Sequence, residues 1–137
     1  MLLEAMISIL IFSFGILAII GLQAAAVSAS TDAKYRSEAS MLASQLIGEM
    51  RVSNRTAATL LANYNSSGGG GVAYNAWMAK VQATLPMVAI NPPTVAVNLV
   101  PGPTAASKAS CIVNITIFWQ LPSETAVHNY STIVQII

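Results

Sequence analysis

Residues 5–31 contain no Lys, Arg, Asp, Glu or His, a run of 27 uncharged residues, and Glu4 stands directly before it. No other feature of the chain limits its possible folds so strongly. A helix that is apolar all round calls for burial on every side. A carboxylate at the head of such a stretch costs a few kcal/mol or more in hydrocarbon. Glu4 is therefore read as a working group. Its position suggests pairing with a positive group supplied by another copy of the chain.

The 137 residues give room for one domain plus an appendage. Only 8% of them are charged, against a usual share of about a quarter. Much of the imbalance lies in residues 1–31, so the remainder fits an ordinary soluble domain. Lys34, Arg36, Arg51, Arg55, Lys80 and Lys108 are scattered and the net charge is +1. Without a basic patch, nucleic-acid contact is not expected. Cys111 is the only cysteine, which excludes an intrachain disulfide and a multi-cysteine metal site. The acids Glu4, Asp32, Glu38, Glu49 and Glu124 are dispersed, and no His-acid-Ser set or Cys-His pair is visible. No enzyme, cofactor or metal is expected on these grounds.

Three readings of the N-terminal segment stay open. A cleavable signal peptide begins with Lys or Arg and has an apolar core of about 7–15 residues. Met1-Leu2-Leu3-Glu4 has no positive charge and the apolar run is longer, although Ala24-Ala25-Ala26-Val27-Ser28-Ala29 imitates a cleavage site. A plain membrane anchor fits, since about 20 apolar residues cross a bilayer, but it leaves Glu4 without a reason. The third reading is a helix held in a membrane at one stage and in a protein assembly at another. Within residues 32–55, Tyr35, Ala39, Leu42, Leu46 and Met50 recur at spacings of three and four, with Ala43 and Ile47 alongside. No proline precedes Pro86. One helix is thus predicted from the start of the chain to about Arg51, roughly 75 Å long at ~1.5 Å per residue. Its second half needs only one covered face, which predicts a ladle: a long handle with a small domain on its far half.

Residues 64–72 hold Asn65-Ser66-Ser67 and four glycines, Gly68 to Gly71, and read as a flexible loop without stable secondary structure. No Lys-Ser or Lys-Thr follows them, as a phosphate-binding loop requires. Residues 73–85 read as a short helix with Trp77, Val81 and Leu85 on one face, ended by Pro86. Residues 91–108 are rich in proline and small side chains. A strand is predicted there at 94–100, with a turn or extended loop at Pro101-Gly102-Pro103. Residues 111–119 are β-branched and aromatic, with Cys111, Val113, Ile115, Ile117 and Trp119 on one face. A turn at Leu121-Pro122-Ser123-Glu124 precedes a last strand at 129–137, where Tyr130, Thr132, Val134 and Ile136 share a face. An antiparallel sheet of three or four strands would cover the apolar face of the helix. The predicted class is α+β. Residues 1–31 form a membrane or filament-core helix and residues 32–137 a head. The head comprises the helix half 32–55, the Gly-rich loop and short helix 56–86, and the sheet region 91–137.

The run Met1-Leu2-Leu3-Glu4-Ala5-Met6-Ile7-Ser8-Ile9-Leu10-Ile11-Phe12 resembles the mature N-terminus of type IV pilins and type II secretion pseudopilins. In that family a peptidase cleaves after a glycine and methylates the new N-terminal residue, usually phenylalanine, and a glutamate stands fifth. Here the glutamate is fourth, so either one residue stands before Met1 or the spacing departs from the family's. The leader and its glycine are absent, as expected of a mature form. The resemblance covers residues 1–55 well and the rest loosely. The Trp77 helix, the Pro-rich stretch and the strand ending in Trp119 look similar to PilV-like minor pilins. The resemblance implies the pilin ladle and assembly through Met1, Leu2, Leu3 and Glu4, the Glu4 carboxylate meeting a neighbouring subunit's N-terminal amine. It implies as partners other copies and other pilins, an inner-membrane assembly platform, a prepilin peptidase and the membrane before assembly. It also implies an inner-membrane location first and an extracellular filament afterwards, with motility, adhesion, surface attachment or DNA uptake as pilus-type roles. Three functions stay open: a main pilus subunit, a minor pilin or type II pseudopilin of a tip or initiation complex, and a monomeric membrane-anchored binding module.

Plainer readings stand beside these. Glu4 at a helix N-terminus is favoured by the dipole, by about 0.3–1 kcal/mol. Gly15 and Gly21 are common membrane-helix residues, or mark a stretch that loses helical hydrogen bonds in an assembled filament. Many pilins have a proline near the position of Gly21. His128, read as lacking a nearby acid, is expected to be structural, and Cys111 to be a buried small hydrophobe. Many pilins close a C-terminal loop with a disulfide, which this chain cannot form. Four Asn-X-Ser/Thr matches, at Asn54, Asn65, Asn114 and Asn129, arise easily by chance.

Overall fold

The computed structural model describes residues 1–54, 56–100, 110–122 and 124–136. Helix α1 (Leu2–Val52) is followed by α2 (Ala57–Tyr64), a 3-10 turn (Ser67–Gly69), α3 (Val72–Thr84) and strands β1 (Thr94–Val100), β2 (Ser110–Trp119) and β3 (His128–Ile136). The class is α+β, with a long, apolar N-terminal helix and a three-stranded antiparallel sheet. Two compact units divide the chain, Met1–Lys34 and Tyr35–Ile137. Helix α1 contributes residues to each.

In the second unit, the later part of α1 uses the stripe predicted from its periodicity. Ala39, Leu42, Ala43, Leu46 and Met50 are buried, and Tyr35 and Ile47 pack against them. Spacings of three and four put these side chains on one face. The sheet supplies the other half of the core. Its order is β1-β2-β3, with Val97 opposite Val113 and Val113 opposite Val134. Because β2 is flanked on both sides, its alternation is complete: Cys111, Val113, Ile115, Ile117 and Trp119 are all buried. Burial of such side chains removes apolar area from water at about 25 cal/mol per Å².

Helix α3 closes the core through Tyr74, Trp77 and Val81. Two buried polar tips find backbone acceptors. The Trp77 indole N–H donates to Leu42 O at 3.0 Å, and the Tyr74 hydroxyl donates to Pro93 O at 2.6 Å. These bonds tie α3 to α1 and to the segment entering β1 without leaving a buried donor unpaired.

The structure departs from the sequence reading between residues 57 and 72. Helix α2 was not anticipated; Leu60 and Tyr64, four apart, are its buried contacts. The glycine run is also not a structureless loop. Ser67–Gly69 forms a 3-10 turn with Gly68, Gly69 and Gly70 at positive φ, and Gly71 caps α3. Glycine alone adopts such φ values without steric cost. Ser66 fastens the turn to the outer edge of β1: its N–H donates to Val95 O at 2.9 Å, and its hydroxyl accepts from the Val95 N–H at 3.1 Å. Elsewhere the agreement is close. The predicted helix at 73–85 is found at Val72–Thr84, and the strand at 94–100 has those bounds. The Glu124 N–H donates to Leu121 O at 3.0 Å in the expected turn. Pro101-Gly102-Pro103, Ser123 and Ile137 lie outside the described residues.

Candidate functional site

In the unit Met1–Lys34 the helix is one unbroken cylinder whose large apolar side chains face outward around its whole circumference. Leu2, Leu3, Met6, Ile7, Ile9, Leu10, Ile11, Phe12, Phe14, Ile16, Leu17, Ile19, Ile20, Leu22 and Val27 are all exposed. Met6, Ile9, Leu10, Ser13, Phe14 and Leu17 line a shallow apolar groove along one side. A contiguous apolar surface of this extent marks a place where protein or lipid is received. By length and composition this helix could cross a membrane.

Three hydroxyls on this helix are satisfied within it. Ser8 donates to Glu4 O at 2.9 Å, Ser13 to Ile9 O at 2.7 Å and Thr31 to Val27 O at 2.8 Å. Such bonds to the carbonyl one turn back let a hydroxyl sit in an apolar environment without a further partner. The Glu4 carboxylate differs. It projects from the first turn of α1, exposed, and has no side-chain partner among the described residues. Met1, Leu2 and Leu3 beside it are exposed as well. The four residues of the predicted assembly site thus lie together at the first turn of α1.

Gly15 and Gly21 are helical, and a Cβ built on either meets nothing within 4 Å. No close approach within the chain requires glycine at these positions.

His128 corrects the expectation that it has no acidic neighbour. Its Nε2 lies 2.9 Å from a Glu124 carboxylate oxygen, and its ring stacks on Trp119 with centroids 6.0 Å apart. The sequence signal was the spacing of four between Glu124 and His128. That spacing falls across the turn at Leu121-Pro122-Ser123-Glu124 and the start of the last strand, where no repeating pattern draws attention to it. Pair and stack together hold the connection between β2 and β3. No group of three or more His, Cys, Asp or Glu that could hold an ion occurs among the described residues.

Cys111 is buried, and burial pushes its thiol above the ordinary value, which disfavours the nucleophilic thiolate. Lys80 Nζ lies 3.2 Å from Glu49 Oε1, but both side chains are more than one-third exposed, so the pair contributes about 1 kcal/mol or less. Asn114 lies in the central strand and its Oδ1 is buried without a hydrogen-bond partner among the described residues, a poor location for an attached sugar. Asn129 is exposed in β3. Comparison of the chain with protein-family models, with curated proteins and with solved structures returned no match in any of the three.

Proposed function

We propose that this chain is a structural subunit of a type IV pilus or a closely related filament. In this reading it is held in a membrane by its N-terminal helix and afterwards polymerises through the same surface. The observation that carries the proposal is the combination found in the first unit. Residues 5–31 are uncharged with large apolar side chains outward on every side, Ser8 and Ser13 are bonded within the helix, and Glu4 stands exposed in its first turn. A bilayer alone accounts for the apolar surface and tolerates the carboxylate at its edge but gives it no partner. Packing against other copies accounts for both.

On this proposal, Glu4 of an incoming subunit meets the N-terminal amine of a neighbour inside a helix bundle that excludes water. An unpaired charge there is strongly disfavoured, so the pair sets the axial register. Transfer from lipid to protein gains little from the hydrophobic effect, because lipid tails are as apolar as the helix surface. Assembly then depends on close packing, the Glu4 pair and work done by an assembly platform in the inner membrane. A prepilin peptidase would act before this step, and the finished filament would lie outside the cell. Main pilin, PilV-like minor pilin and pseudopilin share this mechanism and differ in abundance. Glu4→Gln tests it. The variant should fold and insert into membranes as wild type does, yet fail to enter filaments. Normal filament yield from this variant would defeat the proposal.

A further inference from the structure

The uncharged run is longer than a bilayer needs, and the structure points to which part of it meets lipid. Residues 5–31 at ~1.5 Å per residue extend about 40 Å, whereas the hydrocarbon core is about 30 Å thick. Ser8, Ser13 and Thr31 donate to carbonyls of their own helix. Glu4 and Gln23 do not behave in this way. Both are exposed on α1, and neither side chain has a hydrogen-bond partner among the described residues. An amide without a partner is strongly disfavoured in a purely apolar medium.

We infer that Glu4 and Gln23 mark the two boundaries of the lipid-immersed segment, so that residues 5–22 lie in the hydrocarbon of a bilayer and the Ala-rich stretch from Ala24 onward lies in the headgroup layer and beyond. Residues 5–22 are eighteen in number and span about 27 Å as a helix, close to the hydrocarbon thickness. Moving this window four residues towards the C-terminus exchanges Met6 and Ile7 for Gln23 and three alanines. Moving it three residues the other way takes in Glu4 and only exchanges Ile20 and Leu22 for Leu2 and Leu3. Both displacements place a partnerless polar side chain in hydrocarbon without a gain in large apolar side chains outside it. Gln23 therefore fixes how deeply the helix sits, and the small side chains that follow it are wetted while the chain is membrane-bound. The inference rests on the membrane stage of the proposed function and is independent of the filament stage.

Spin-label accessibility in vesicles tests it. The full chain is reconstituted in phosphatidylcholine vesicles with single cysteines at positions 18, 20, 22, 24, 26, 28 and 30, each carrying a nitroxide. Cys111 is buried, and a parallel series with Cys111→Ala excludes signal from it. Labels at 18 to 22 should collide with oxygen and be shielded from a water-soluble nickel chelate. Labels at 24 and beyond should show the reverse. Gln23→Leu should move the crossover C-terminally by about one helical turn. A wild-type crossover beyond residue 28, or one that Gln23→Leu leaves in place, overturns the inference while leaving the membrane stage intact. Chelate access at every position overturns both.

Discussion

At the scale of single residues, the polar groups divide into those the chain satisfies itself and those it leaves for something else. Tyr74 and Trp77 donate to backbone carbonyls inside the core, and Ser8 and Ser13 to their own helix. Glu4 and Gln23 have no such bond among the described residues. Burial also shapes the response to pH. It raises Tyr74 above its ordinary value of 10.0 and Cys111 above 9.0. Each group keeps its proton longer in the folded chain than in the unfolded one. The stability they contribute is therefore complete below about pH 9 and is lost as pH rises through the raised values. Thermal melts of the full chain should show a declining midpoint from about pH 9 upward. Tyr74→Phe should flatten the part of that decline above about pH 10. A midpoint that held constant to pH 11 would contradict the assignment. Glu4 stands out in the sequence because one acid heads an uncharged run. The His128–Glu124 pair was less legible, because a turn between strands conceals which side chains it returns to one another.

At the scale of elements, legibility followed the length of the repeating pattern. The stripe through Ala39, Leu42, Leu46 and Met50 extends over several turns, and the alternation in β2 over ten residues, so both elements were placed within a residue or two. Helix α2 has eight residues and only Leu60 and Tyr64 to declare its buried face. Two contacts do not make a visible period. The glycine run misled for a different reason: glycine permits disorder and also permits the positive φ and close contacts that an ordered turn needs. Gly71 shows the second use. A Cβ there would run into the backbone of Ala62 and Asn63. Gly71→Ala should therefore destabilise the second unit by about 1–3 kcal/mol, the usual range for forced overpacking. Denaturant titration should read it as a lower midpoint with an unchanged slope. Gly15 and Gly21 should behave in the opposite way, since a Cβ at either meets open space. Alanine at each should strengthen helix α1 by about 1 kcal/mol, seen as slower amide exchange around residues 12–24 in detergent. If fibre yield is then normal, these are ordinary membrane-helix glycines; if it falls, assembly requires the helix to open there.

At the scale of the whole molecule, the second unit has its own buried core of helix and sheet. The first unit has none and leaves an apolar surface outward on all sides. A chain built in this way is complete only when lipid or other proteins cover the first unit. On the proposed reading both do so in turn, and the two stages explain why residues 5–31 are uncharged and still headed by an acid. The fold class was legible from periodicity alone. The covering partner was not, because lipid tails and neighbouring helices ask for the same side chains; on the proposed reading Glu4 is the residue that distinguishes them. Mass spectrometry of intact protein in fibres sheared from the cell surface tests the central claim most directly. The account predicts this chain there, with a processed and methylated N-terminus at or one residue before Met1. An unmethylated chain confined to the membrane and absent from the fibres would contradict it.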